Sequence, residues 1–112
     1  MKIFIVLLCL TLLSSCATTE QRRKRFVSAH PGMRDAYKSA VLRGTIVEGM
    51  HIKAVRASWG KPKKKYKKPY GRMPALHWEY DVIEPDRIAT YVLIFRKGIL
   101  LKWQLKHAKP LR

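Results

Sequence analysis

The thiol of Cys16 is the side chain whose surroundings suggest chemistry most clearly. It ends a short apolar run, and residues 13–15 directly before it read Leu-Ser-Ser. A positive head that contains Lys2, an apolar middle and small residues before a cut are the pattern of a secretory signal peptide. About 20 apolar residues are needed to cross a bilayer, and residues 3–15 are too few. The pattern predicts a signal peptide over residues 1–15 rather than a transmembrane anchor.

The Leu-Ser-Ser-Cys motif at residues 13–16 resembles the lipobox of bacterial lipoproteins. In that class the thiol is acylated and the chain is cut before the cysteine, which implies a mature chain that begins at a lipidated Cys16. Ala17 favours the outer membrane, because an Asp there often retains enteric lipoproteins in the inner membrane. Residues 22–25 are all basic and oppose export, since basic residues near an apolar run tend to stay on the cytoplasmic side. A cytosolic protein with an apolar N-terminus is the alternative.

The charge of the chain is strongly unbalanced. Its 112 residues include 24 Lys and Arg against 7 Asp and Glu, a net charge of +17. Such a chain attracts phosphate head groups, lipopolysaccharide, nucleic acid or acidic proteins. An exported protein meets lipid phosphates before nucleic acid, so nucleic acid is expected as a partner only if the signal peptide is misread.

Few residues suggest catalysis or metal binding. The two cysteines are Cys9 and Cys16, so no thiol remains after processing for a disulfide, a metal site or a nucleophile. The four histidines are scattered, and no phosphate loop or dinucleotide fingerprint occurs. We expect no enzyme activity, no cofactor and no metal site.

Two basic segments are candidate anion-binding sites. The first, residues 61–72, is named the basic arm; its prolines and glycine predict an exposed loop. Its Tyr66 and Tyr70 can lie at a head-group boundary or stack on bases. The second segment is residues 22–25. The candidate residues are Lys61, Lys63, Lys64, Lys65, Tyr66, Lys67, Lys68, Tyr70, Arg72, Arg22, Arg23, Lys24 and Arg25. A solvated, mobile loop is the alternative for the arm.

The N-terminal half is expected to hold a tether and two helices. Residues 16–30 are polar, basic and without periodicity, which predicts a basic tether from Cys16. Apolar side chains at helical spacing predict helices over residues 31–43 and 51–59. Gly44 and Gly60 are the expected ends of these helices.

Three strands are expected in the C-terminal half. Alternating apolar and polar residues predict strands over residues 76–82 and 101–105. Residues 91–95 are apolar on both faces and predict the central strand, whereas the lysines of the last strand suit an edge. The fold class is α+β, with two helices packed on a three-stranded antiparallel meander in a domain over residues 31–106. Residues 107–112 are expected to form a frayed tail.

The sheet face opposite the helices would also carry apolar side chains that need a cover. Val92 and Ile94 would lie on it, which suggests a partner or a dimer, unless the tether or the arm folds over it. Glu79 and Asp81 would share one face and could look like a catalytic pair. A solvated strand face, with Lys102 and Lys106 nearby as ion-pair partners, is the preferred interpretation.

The order of several short motifs resembles the SmpA/OmlA family of small, BamE-like outer-membrane lipoproteins. The motifs are Gly49-Met50, then Val55 to Trp59-Gly60-Lys61-Pro62, Trp78-Glu79-Tyr80, Phe95-Arg96-Lys97-Gly98 and Leu101-Lys102-Trp103. The chain departs from the family in its greater charge, in the basic arm and in His51 at a helix-capping position.

The resemblance implies two helices on a three-stranded sheet. It also implies a lipid-anchored, non-catalytic interaction or scaffold module at the periplasmic face of the outer membrane. Such a module would bind envelope proteins and would act in outer-membrane assembly or maintenance. A binder of anionic envelope lipids or lipopolysaccharide through the arm is the alternative.

Overall fold

Three helices precede a four-stranded antiparallel sheet in residues 18–111, which the computed structural model describes. The elements are α1 (Thr19–Ala29), α2 (Asp35–Arg43), α3 (Ile52–Trp59), β1 (Lys64–Lys67), β2 (Leu76–Ile83), β3 (Arg87–Arg96) and β4 (Ile99–Pro110). The strands follow their sequence order across the sheet. The α+β class is confirmed, with one more helix and one more strand than expected. The predicted signal peptide and Cys16 lie outside the described residues.

Helix α1 occupies most of the segment predicted as a tether. A capping box starts it, since the Gln21 backbone N–H donates to the Thr18 hydroxyl (3.1 Å) and the Thr18 N–H donates to the Gln21 side chain (3.2 Å). Phe26 and Val27 then pack against the core. The tether prediction was therefore wrong over these residues, because a cap and two apolar side chains that pack on the core stabilise a helix in a segment that otherwise looks charged and solvated.

Helices α2 and α3 end as the sequence predicted but begin later. Gly44 caps α2 in the left-handed conformation (φ 74°), and Gly60 ends α3 with φ 81°. Helix α2 begins at Asp35 rather than at residue 31, after a turn. Helix α3 begins after His51, whose Nδ1 accepts from the Lys53 N–H (3.1 Å). A histidine thus supplies the N-cap acceptor for which a Ser or Thr is more usual.

The helices cover one face of the sheet. The residues that are almost completely buried there include Val41, Met50, Val55, Leu93, Phe95 and Leu100. They come from α2, α3, β3, β4 and the connection before α3 and form one cluster. This layer is the principal core of the domain.

The basic arm covers part of the other face. Strand β1 lies within the arm and pairs with β2, so the sheet has four strands where three were predicted. Backbone bonds flank the pairing, from the Lys63 N–H to the Glu79 carbonyl (2.8 Å) and from the Lys68 N–H to the Ala75 carbonyl (3.0 Å). Ala75, Val92 and Ile94 are buried together on this face, and Tyr70 of the arm packs against them together with Leu101 of β4. Of the covers considered for this face, the arm is the one that is confirmed.

Strand β4 continues through the predicted tail to Pro110. It pairs with β3 along its whole length, with register shifts at Thr90/Tyr91 and at Ile94/Phe95. Its edge position is confirmed. The tail was mispredicted because the exposed residues 107–110 pair through the backbone, which hydrophobic alternation does not reveal.

Arg22 and Arg23 hold the C-terminal end of α3. The Arg22 Nε donates to the Ala57 carbonyl (3.1 Å), and Arg23 donates to the Ser58 carbonyl from Nε (3.1 Å) and Nη2 (2.8 Å). The last carbonyls of a helix lack partners within it, and a cation there also favours the negative end of the helix dipole. These contacts join α1 to α3.

Replacing Arg23 by Ala should lower the free energy of unfolding by about 1–2 kcal/mol, because charge-assisted hydrogen bonds to a partly buried carbonyl are lost. Urea denaturation measures this change. The matched control is Arg25→Ala, which removes an exposed cation two residues away and should change stability by less than about 0.5 kcal/mol. Equal effects of the two substitutions would show that Arg23 does not fasten α3.

Candidate functional site

The basic arm distributes its side chains over both faces of the sheet edge. Lys64 lies opposite Glu79 and Tyr66 lies opposite His77 in the strand register. Directly paired residues share a face, so these two arm side chains point away from the helices. Lys65 and Lys67 point to the helix side.

Most arm cations have no carboxylate partner in the part of the chain that the structure describes. Lys63 pairs with Asp81 (Nζ–Oδ2 3.1 Å). No other arm cation forms an ion pair within the described residues. All six of these cations are exposed: Lys61, Lys64, Lys65, Lys67, Lys68 and Arg72. The edge of the sheet therefore carries a dense, uncompensated positive charge, and the arm is an ordered strand and turn rather than the predicted loop.

The Glu79 carboxylate binds a side chain of the arm on the sheet face opposite the helices. It is buried, with a residue exposure of 2%. Its Oε2 accepts from the Tyr66 hydroxyl (2.7 Å) and from the Lys106 Nζ (3.0 Å). Burial opposes the charged form, but these hydrogen bonds, with the charges of Lys106 and Lys64, outweigh it and hold the pKa of Glu79 below its usual value.

Glu79 and Asp81, the two carboxylates of β2, are therefore bound by different side chains. Glu79 is buried rather than solvated, and its expected pairing with Lys106 is confirmed. Asp81 is exposed, accepts from the Thr90 hydroxyl (2.6 Å) and pairs with Lys63. The solvated-face interpretation was thus wrong for Glu79, because the arm covers it. Lys102 pairs with neither carboxylate and instead lies 5.5 Å from the centre of the Tyr70 ring.

The tip of the arm is a tight turn with an amphipathic surface. The Tyr70 N–H donates to the Met73 carbonyl (2.8 Å) around Gly71, whose φ is 66°. Arg96 holds the turn by donating from Nη2 to the Tyr70 carbonyl (3.0 Å). Arg72 and Met73 are exposed at the tip. The sequence did not identify Arg96 as a residue that holds the arm tip, although its position directly before the β3–β4 turn could have indicated this role.

The second candidate segment does not join the arm. Arg22 and Arg23 are committed to α3 carbonyls, and Lys24 pairs with Glu20 one turn away (3.2 Å). Arg25 is exposed and lines a hollow between α1 and α3 with Lys53 and other basic residues. The four residues thus make different contacts, and anion binding by this segment stays a prediction.

Comparisons with family models, curated proteins and solved structures found no match to this chain. Within residues 18–111, no helix is both long and apolar enough to span a bilayer. The same residues contain no group of three or more His, Cys, Asp or Glu side chains arranged to hold a metal ion.

His77 fastens the end of β1. One ring nitrogen, Nε2, lies 3.1 Å from the Lys68 carbonyl, and the ring stacks on Tyr66 with centroids 5.3 Å apart. The other, Nδ1, is buried without a partner in the described residues. Burial lowers the pKa of His77, the charge of Lys68 lowers it further, and Glu79 acts in the opposite direction.

This lowered pKa predicts acid sensitivity. The unfolded chain takes up a proton near pH 6.5 that the folded chain resists, so stability is lost as the pH falls through about 6.5 and below. His77→Gln keeps an N–H donor without a titratable ring and should lose less stability between pH 7.5 and pH 5 than the wild type. Thermal denaturation at both pH values measures the difference, and an identical loss in the two proteins would exclude His77 as its source.

Proposed function

We propose that this chain is a lipid-anchored protein of the bacterial outer membrane that acts as a non-catalytic interaction module, in outer-membrane assembly or maintenance. The signal-peptide pattern and the Leu-Ser-Ser-Cys motif support the anchor. Helices α2 and α3 followed by the meander of β2, β3 and β4 agree with the fold that the SmpA/OmlA resemblance implies. The observation that carries the proposal is the ordered arm, which displays six cations that have no carboxylate partner among residues 18–111.

The position at which α1 begins limits how far the folded domain can lie from the proposed lipid anchor. Only Ala17 separates the proposed lipidation site, Cys16, from the N-cap Thr18. Two residue steps span about 7 Å of extended chain. The first turn of α1 would therefore lie close to the bilayer, in place of the long tether expected from the sequence.

The arm tip lies towards the other end of the molecule. Arg23 in α1 and Ile83, the last residue of β2, line the same hollow. Leu76, the first residue of β2, pairs with Lys67 of the arm. The seven steps from Leu76 to Ile83 span about 23 Å. A protein anchored through Cys16 would thus present its arm tip away from the anchored end, where an envelope partner with an acidic surface can reach it.

Binding of anionic lipid or lipopolysaccharide through the arm is the second candidate function. The six arm cations that form no ion pair within residues 18–111 favour it, as does Met73, which is 50% exposed beside Arg72 at the arm tip. The molecule would then lie along its own membrane or bind another anionic surface. Such binding weakens as salt screens the charges.

The Cys16→Ser variant tests the anchor. The wild type should be cut before residue 16, carry acyl chains and sediment with outer membranes, since the thiol is the acyl acceptor. The variant should lack the acyl mass and leave the membrane fraction. Intact-mass spectrometry and membrane fractionation measure both properties. A wild type that keeps Met1 and remains in the cytoplasm would overturn the proposal and would favour nucleic acid as the binding partner.

Arm charge is tested by replacing five lysines with Gln: Lys63, Lys64, Lys65, Lys67 and Lys68. Each cation near an anionic surface contributes on the order of 1 kcal/mol, so vesicle affinity should fall by at least about 100-fold. Sedimentation with anionic vesicles measures this in the chain from residue 16 onward with Cys16→Ser, which removes the anchor.

A charge-matched control separates the arm from net charge. It changes five exposed cations outside the arm to Gln: Arg25, Arg34, Arg43, Lys53 and Lys109. The control should retain most binding. If both variants lose binding equally, the effect is one of net charge, and the arm has no special role.

A further inference from the structure

A cleft of about 400 Å³ opens where the arm meets the start of α3 and the β3–β4 turn. One wall is the arm at Lys67 and Pro69, and the opposite wall is the turn at Lys97 and Gly98. The volume falls at the small end of the range for ligand sites, which favours a single slender molecule over a folded partner.

The floor of the cleft is apolar. Its apolar lining residues are Ile52, Pro69, Pro74, Ala75, Leu76 and Phe95. Phe95 and Ala75 are themselves buried in the two packed layers on opposite sides of the sheet. Because these layers hold the floor in place, the cleft is a preformed apolar surface.

The rim of the cleft is basic. Lys67, Lys68, Arg96 and Lys97 line it, and none of the lining residues is acidic. Arg96 donates from Nη2 to the Tyr70 carbonyl, but its Nε is buried without a hydrogen-bond partner in the described residues. Because Arg96 also lines the cleft, its guanidinium charge, together with the three lysines, favours an anionic group at the rim.

We propose that the cleft binds a monoacyl anionic amphiphile, with its chain on the apolar floor and its carboxylate or phosphate at the basic rim beside Arg96. Inorganic phosphate alone would leave the apolar floor unused, and a neutral chain would leave the rim without a counter-charge. The inference goes beyond the proposed function, because the cleft requires neither lipidation of Cys16 nor docking of the arm on a membrane.

Fluorescence titration with dansyl-undecanoate, a fatty-acid probe, tests the site in the chain from residue 16 onward with Cys16→Ser. Binding should saturate at one probe per chain. Laurate should displace the probe at least tenfold better than dodecanol, which has the same chain without the charge. Lauroyl lysophosphatidic acid distinguishes a phosphate-bearing source from a carboxylate-bearing one, according to which competitor binds more tightly.

Two rim variants locate the binding. Arg96→Gln and Lys97→Gln should each weaken probe binding about tenfold, whereas Lys109→Gln, an exposed cation on the far part of β4, should leave it unchanged. Near-ultraviolet circular dichroism verifies that Arg96→Gln keeps its fold, and exposed Lys97 provides the test that does not depend on Arg96. Equal displacement by laurate and dodecanol, or equal binding by all three variants, would overturn the proposal. Membrane fractionation of the Cys16→Ser variant tests only the lipid anchor, so its outcome does not depend on these binding results.

Discussion

Strand β3 is buried on both faces, and this requires a cover on each side of the sheet. Leu93 and Phe95 face the helices, whereas Val92 and Ile94 face the opposite way. At roughly 25 cal/mol per Å² of apolar surface, leaving either pair in water would cost a small domain a large part of its stability. The helices cover the first side. The second cover comes from the most highly charged segment of the chain, so the arm has to be a folded element.

Acidic residues make this second cover possible. The chain has only seven, and two of them lie where cationic segments meet the sheet. Glu79 anchors Tyr66 and Lys106, and Asp81 pairs with Lys63. A buried carboxylate is stable only when its oxygens are hydrogen-bonded, and the arm supplies one of those bonds. The other arm cations lie on an ordered edge of the sheet and form no ion pair within residues 18–111, which is the arrangement on which the proposed anion binding rests.

The parts of the fold that the sequence predicted are those with hydrophobic periodicity or glycine punctuation, such as the glycine ends at Gly44 and Gly60 and the three longer strands. Hydrophobic periodicity could not reveal β1, since its register depends on backbone pairing and on buried contacts of Tyr66. Helix α1 was signalled only by the Thr18 cap. The cleft and the orphan Nε of Arg96 depend on tertiary packing, so the sequence could indicate the arm but not the site at its base.

Residue-resolved hydrogen exchange of the arm tests the central claim, that the arm is a strand on the sheet. The Lys63 amide donates to the Glu79 carbonyl of β2, and the Lys68 amide donates to the Ala75 carbonyl just before β2. Both amides should exchange far more slowly than unstructured amides of the same sequence. Their protection should be comparable with that of the β2–β3 pairing near Trp78. Exchange at unprotected rates would contradict the account, because a mobile arm would uncover Val92 and Ile94 and leave the cleft without one of its walls.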